Sequence, residues 1–470
     1  AIRMKKVFCV VLAVLMLFTM QIPAMAHGEN IWESQADFAE NSALVKAEDL
    51  MGFSFDRTSV TAESVRLAGC EYTEMTDQND VKITVDQSGN LVRFNSIYAK
   101  KTENNMPVRE KKNAAVVKEN IADLFSIDQT YEVTSLENYG EYGGYSYIKE
   151  YQNGLQNPFE SVKVTYNTHT GDVVIATKFD HAPNSTMAQI DENEAITAAA
   201  QSEYYAAEST VSSCVLTFIL PSMFSNEKVA RYGSGDQAIL CYKIVYDGGY
   251  IIYVDAMDAE PIAVDEIMAY NSASFTIKEV SATTNPNAYN RRPSTPQMCS
   301  ELNAYRVENI ELSESGFARL GYTTVDQDNP YEDATINEDV ATFLDGDSSY
   351  GFYFCGHANS NVLAFKYNTI LRRTNVSGNW RFVFLDGCET AVDTGWAEQF
   401  NIYGRSGRAY LGWFDTVQLV YTHQFQDYFW PRVGNKAIQA LALDAANSVP
   451  GQGTTPIRFW GDTSYTGVVG

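Results

Sequence analysis

Two short apolar runs near the end of the chain constrain its fold more than any other feature. Gly351–Phe354 and Arg381–Leu385 are apolar with almost no polar alternation, the pattern of strands buried on both faces. Each run ends in small residues that release a reactive side chain. His357 follows Gly356, and Cys388 follows Gly387, 31 positions later. That spacing fits two adjacent strands joined by a crossover. In open parallel sheets, sites form beyond the carboxyl ends of the strands. A His and a Cys delivered there act as base and nucleophile.

The surrounding sequence extends the α/β pattern. Ser313–Leu320 reads as helix, Gly321–Val325 as strand and Asn337–Leu344 as helix. After the Cys388 strand come a helix over Thr394–Tyr403, a strand at Ala409–Trp413 and an aromatic helix over Thr416–Phe429, stopped near Pro431. A helix over Lys436–Ala446 and a strand at Ile457–Trp460 close the chain. Alternating strands and helices imply a mostly parallel sheet covered on both faces.

Upstream the pattern changes. Residues 27–110 are mixed and polar, with a hairpin over Val81–Val92 that turns at Ser88-Gly89-Asn90. Asn113–Phe125 has helical spacing, followed by alternating strands at Tyr145–Gln152, Val162–Asn167 and Val173–Lys178. The unit then recurs. Asp191 and Glu194 form a capping-box start to a helix, followed by strands at Cys214–Leu220, Ala238–Tyr246 and Tyr250–Asp255. Residues 113–178 and 191–265 thus read as two copies of one α+β module. Residues 271–295, rich in Ser, Thr, Asn and Pro, read as a linker, although Phe275–Val280 has a strand pattern.

The first 26 residues read as a secretory signal: Arg3, Lys5 and Lys6, an apolar run from Val7 to Met20, then Ala24-Met25-Ala26. This implies a secreted or cell-surface protein with no transmembrane domain in the mature chain, the alternative being that the segment is retained as an N-terminal anchor. Removing the signal deletes three cations and no anions, taking the formal charge from −25 to −28. So acidic a chain argues against a nucleic-acid partner. The six cysteines that remain are too sparse for a disulfide scaffold and contain no C-x-x-C pair. There is no H-E-x-x-H, and no G-x-S-x-G ahead of a helix, which weighs against a metallopeptidase and a serine hydrolase.

Two resemblances follow from these motifs. The run YIKEYQNGLQNPFESVKVTYNTHTGDVV and the later YIIYVDAMDAEPIAVDE look like PepSY and related propeptide modules, over roughly residues 110–268. This implies that the N-terminal region acts as an intramolecular inhibitor or chaperone. The Gly-His strand, the Asp-Gly-Cys-Glu-Thr-Ala strand end, the Tyr-Leu-Gly-Trp strand and the late Gly-Asp resemble the caspase-like cysteine peptidases, nearest in motif to CHAT domains and gingipains. The division is then a signal peptide over 1–26, a propeptide-like segment over 27–110, two PepSY-like modules over 111–270, a linker, and a caspase-like α/β/α sandwich over 296–470.

By that resemblance His357 is the catalytic His and Cys388 the nucleophile, with no metal or other cofactor. Backbone N–H groups at Gly356 and Cys388 form the oxyanion site, Cys388 by its own position and the other from the stretch Gly356–Ala358. The substrate is a protein or peptide. Trp413, Asp415 and Asp393 are candidates for the first pocket, where a carboxylate favours cleavage after Arg or Lys. The chain departs from the family in having His357-Ala358 where many members have His-Gly, and Gly387 before the Cys. A disulfide between Cys355 and Cys388 is an alternative state, one that would leave the site inert or redox-gated. The alternative function is a catalytically inactive, caspase-like interaction protein.

Overall fold

The computed structural model describes residues 42–99, 110–135, 140–205, 209–225, 227–270, 296–322, 351–364, 370–451 and 457–469. The secretory-type segment 1–26, the linker 271–295 and the expectations at 323–325 and 337–344 lie outside the described residues.

Helix α1 (Ser42–Met51) precedes four strands, β1 (Val60–Leu67), β2 (Cys70–Asp77), β3 (Lys82–Val85) and β4 (Leu91–Asn95). Helix α2 (Ala114–Leu124) starts at Asn113, whose side chain accepts the Ala115 N–H. Strands β5 (Tyr131–Ser135), β6 (Tyr142–Glu150), β7 (Gln156–Asn167) and β8 (Val173–Asp180) follow. All eight form one antiparallel sheet in the order β1-β2-β3-β4-β8-β7-β6-β5. A boundary at residue 110 therefore cuts through a sheet, because Arg93–Asn95 pair with Ile175–Thr177. One core cluster contains Leu44 and Leu50 of α1, Val117 and Ile121 of α2, and Phe94, Tyr145, Val164 and Ala176 from the strands.

The same order, a helix then a four-stranded meander, occurs again. Helix α3 (Glu192–Gln201) carries the reciprocal cap between Asp191 and Glu194. Strands β9 (Val211–Ile219), β10 (Ile239–Tyr246), β11 (Tyr250–Asp255) and β12 (Pro261–Glu266) form a sheet in the order β12-β11-β10-β9.

The C-terminal unit begins with α4 (Pro296–Arg319), 24 residues long and so much longer than the 313–320 stretch expected. Its main sheet is β13 (Gly351–Cys355), β16 (Phe382–Asp386), β17 (Ala409–Trp413) and β18 (Ile457–Gly461), in that order. The first three run parallel and β18 antiparallel. Strands β14 (Val362–Ala364) and β15 (Ile370–Arg372) make a separate hairpin.

Period-two alternation divides the sheet's side chains between two cores. Phe352, Phe354, Val383, Leu385 and Tyr410 join Trp396 and Phe400 around α5 (Gly395–Gln399). Tyr353, Phe382, Phe384, Leu411 and Trp413 join α6 (Leu419–Phe429) and α7 (Ile438–Asn447) on the other face. Helix α5 stops short of the expected Tyr403 because Asn401 turns to a left-handed φ of 54°.

Helix α7 also lies against β7 and β8, so the eight-stranded sheet and the C-terminal unit share a buried seam. That seam is polar. Arg93 pairs with Asp444, and both are buried. Asp444 also accepts from Asn95 at 2.9 Å, Tyr98 at 2.7 Å and Tyr428 at 3.2 Å. Lys163 donates to the Val449 and Ala446 carbonyls, and Asn447 to Thr165 at 2.7 Å.

Candidate active site

The parallel register of β13 and β16 sets the geometry. Cys355 lies opposite Asp386, and the Gly356 N–H continues the ladder to the Asp386 carbonyl at 3.1 Å. Two residues further along each strand, the chain reaches His357 and Cys388. The strand ends touch at Gly387, where a Cβ would lie 2.5 Å from the Gly356 oxygen and 2.7 Å from the Ala358 Cβ. Only glycine fits there. The turn after Cys388 is tight, and Glu389 takes a φ of 57°, a left-handed conformation that a non-glycine residue adopts at a cost.

Asp386 anchors this floor. It is fully buried and accepts from Tyr353 and Trp413 at 2.7 Å and from Gln426 at 2.9 Å. Burial pushes its carboxyl up to about 6. Cys355 points away to the α4 side, where Asn309 donates to its sulfur at 3.6 Å, and burial pushes its thiol up to about 12. Cys355 and Cys388 are both free thiols. His423 is framework: its ring meets Asn309 at 2.7 Å and Glu308 at 3.1 Å.

The two principal residues are buried and fully engaged. The Val417 N–H donates to the Cys388 sulfur at 3.1 Å, and the thiol faces the Val417 carbonyl at 3.4 Å. Burial pushes this thiol well up. His357 places Nε2 on the carboxylate of Glu266 and Nδ1 on the Ala269 carbonyl, 2.9 Å away. Glu266 pairs in turn with Arg306 of α4. Both partners of that ion pair are essentially inaccessible to solvent.

A third element completes the site. The chain leaving β12 crosses between the two strand ends. The Met268 carbonyl accepts the Cys388 N–H at 3.0 Å and the Ala358 N–H at 3.1 Å.

Several sequence expectations change accordingly. The Gly356 N–H is spent in the sheet ladder, so the second convergent donor is Ala358. Trp413 is fully buried and belongs to the floor, because its indole N–H is held by Asp386. Asp393 is paired with Arg373 at 2.9 Å and caps the Gly395 N–H, so its charge is already matched. Asp415 is exposed, with its carboxylate on the Thr416 N–H. Trp413 and Asp393 therefore supply no free carboxylate beside Cys388, whereas Asp415 lies near enough to bear on the charge of its sulfur.

Glu266, Arg306, Met268 and Val417 did not emerge from the sequence. The one visible signal was Asp265-Glu266, two acids closing the apolar run Ile262–Val264. Both are buried in the structure. Among the described residues, no group of three or more His, Cys, Asp or Glu is placed to hold a metal ion. Among the same residues, no helix is long and apolar enough to cross a membrane.

Comparison with known proteins yields little. No family model and no curated protein matches the chain. Among solved structures, the C-terminal domain of Bacillus megaterium YpeB is similar at 13% identity, covering 48% of this chain and 96% of that one. The TM-score is 0.24, and at that value the likeness carries no argument. The chain is a mixed α/β protein with large sheets.

Proposed function

We propose that the protein is a cysteine endopeptidase of the caspase-like kind, made as a latent proenzyme beneath PepSY-like N-terminal modules. The basic-apolar-small pattern of residues 1–26 supports export from the cell. One observation carries the reading. Two backbone N–H groups, one beside the His and one on the Cys, converge on a single carbonyl oxygen at the carboxyl ends of adjacent parallel strands. Preorganised donors of this kind, about 3 Å from one oxygen, stabilise the oxyanion of acyl transfer.

In the proposed reaction the Cys388 thiolate adds to the scissile carbonyl. The oxyanion rests on the Cys388 and Ala358 N–H groups, and His357 gives a proton to the leaving amine. Water then opens the thioester. The engagement of Cys388 by Val417 and of His357 by Glu266 describes the resting state, in which neither group is presented to an outside substrate.

The same engagement favours a second reading, an inactive interaction protein whose sulfur is permanently buried. Hydrolysis of a peptide library by the full chain, before and after limited proteolysis within 271–295, separates the two. Cys388→Ala is expected to abolish hydrolysis and leave the melting temperature within a few degrees of wild type. Hydrolysis that survives in Cys388→Ala overturns the assignment. A Cys388 that resists alkylation in both states, with no hydrolysis, supports the second reading.

A further inference from the structure

We propose that the segment Asp265–Tyr270 is a substrate carried within the chain, and that Met268–Ala269 is the bond the site cuts in its own polypeptide. This rests on the peptidase reading above and adds both a cleavage position and a preference for an apolar residue before the cut.

The segment is held as an extended substrate would be, by backbone bonds to both walls of the cleft. On one wall the Met268 N–H donates to the Val417 carbonyl at 3.0 Å, and Ile267 bridges antiparallel to Gln418. On the other the Tyr270 N–H donates to the Ala358 carbonyl at 2.8 Å, and Ala269 bridges parallel to Ala358. Between them the Met268 carbonyl lies on the two donors of the proposed oxyanion site. The carbonyl of Val417 faces both the Met268 N–H and the Cys388 sulfur, which places the nucleophile beside residue 268. The His357 ring is on the other side of the bond, with Nδ1 on the Ala269 carbonyl. Backbone contacts of this kind leave specificity to the side chains. The Met268 side chain is fully buried, in the apolar cluster that also contains Cys388 and Val417.

The step balances without an added oxidant or reductant. Once Glu266 has left His357, the Cys388 thiol passes its proton to the imidazole, and the thiolate forms a bond to the Met268 carbonyl carbon as the oxygen takes the negative charge. The C–N bond to Ala269 breaks as His357 gives its proton to that nitrogen. Water then adds to the thioester carbon, giving one proton to His357 and one to solvent, and releases the thiolate and a Met268 carboxylate. In the resting arrangement Glu266, two residues upstream, holds Nε2 of the same imidazole and is itself fixed by Arg306. The cut therefore awaits a change that frees Glu266.

The test uses the full chain and a synthetic peptide of residues 262–273. Intact-mass spectrometry of the wild-type chain, incubated under reducing conditions after limited proteolysis within 271–295, is expected to show a terminus at Met268 and a new N-terminus at Ala269. The Cys388→Ala chain is expected to keep that bond. The trimmed wild-type protein is expected to cut the peptide after its Met, and a peptide with Arg in that place at least about tenfold more slowly, the discrimination an apolar pocket supplies. A chain and peptide intact at 268, while other peptides are hydrolysed through Cys388, overturn this inference and leave the peptidase reading standing. A peptide that inhibits without being cut overturns the cleavage as well. No Cys388-dependent hydrolysis of any peptide overturns both.

Discussion

Asp444 is the point at which the seam between the eight-stranded sheet and the C-terminal unit is most exposed to perturbation. Its carboxylate is 1% accessible and faces a guanidinium, an amide and two phenols, from Arg93, Asn95, Tyr98 and Tyr428. Asp444→Ala removes the counterion and leaves Arg93, itself inaccessible, with the Ser448 hydroxyl at 2.7 Å and the residue 444 carbonyl at 3.2 Å. Stranding one partner of a buried pair costs about 3–5 kcal/mol. Replacing both partners by apolar groups of similar volume is often close to neutral. The double variant Arg93→Met with Asp444→Leu is therefore expected to lie within about 2 kcal/mol of wild type, recovering most of the loss from Asp444→Ala.

Native-state hydrogen exchange reads this locally, without assuming that a chain of several units unfolds in one step. The amides of Leu441–Asn447 in α7 are the reporters. At about 1.4 kcal/mol per tenfold, a loss of 3–5 kcal/mol accelerates their exchange by roughly two to four powers of ten. The double variant should return them to within about thirtyfold of wild type. Acceleration of less than about tenfold in Asp444→Ala refutes the reasoning, because the buried charge would then have found another partner. Simple additivity of the two substitutions refutes it too, since contacting partners must couple.

Two further outcomes follow from named contacts. Gly387→Ala would push a methyl to within 2.5 Å of the Gly356 oxygen and 2.7 Å of the Ala358 Cβ. It should cost about 1–3 kcal/mol and separate the two strand ends; an unchanged melting curve with unchanged hydrolysis would contradict that geometry. Lys163 is buried with its amine on the Val449 and Ala446 carbonyls, and burial pushes it from 10.5 down to about 7. Between those values the unfolded chain binds more protons than the folded one, so this lysine adds stability as pH rises and exerts its full penalty below pH 7. The melting temperature of Lys163→Met, relative to wild type, should be greatest below pH 7 and shrink towards pH 10; a difference independent of pH would refute the assignment.

What could be read from the sequence was whatever local pattern carries. Continuous apolar runs at 351–354 and 381–385 marked strands buried on both faces, and β13 and β16 are paired in parallel register there. The strand Ala409–Trp413 agrees to the residue because its side chains alternate between two filled cores, Ala409, Leu411 and Trp413 in one and Tyr410 in the other. For Asp393 the pocket reading fails for a physical reason: an acid near the nucleophile in sequence says nothing about which cation it meets, and Asp393 meets Arg373. Choosing between Gly356 and Ala358 as the second donor depended on where the ladder ends, which a one-residue register decides. Glu266, Arg306 and Met268 were beyond reach. Glu266 and Met268 stand 91 and 89 positions before His357, and only the return of β12 to the strand ends brings them together.

The seam and the segment Asp265–Tyr270 hold the C-terminal unit at two separate places. On the proposed reading, cutting Met268–Ala269 frees one covalent link, but β12 remains bonded to β11 through the register Tyr250–Glu266 to Val254–Pro261. Because the cut requires Glu266 to leave His357, the new carboxylate at 268 would be held at the site only by the Cys388 and Ala358 N–H groups. The seam at Arg93, Lys163 and Asp444 joins the eight-stranded sheet, not the sheet of β12, to the C-terminal unit, and its polar character makes it easier to part in water than an apolar core of equal area. Because Lys163 is charged at a cost below pH 7, acidification loosens the seam while leaving the apolar cores on both faces of the C-terminal sheet untouched.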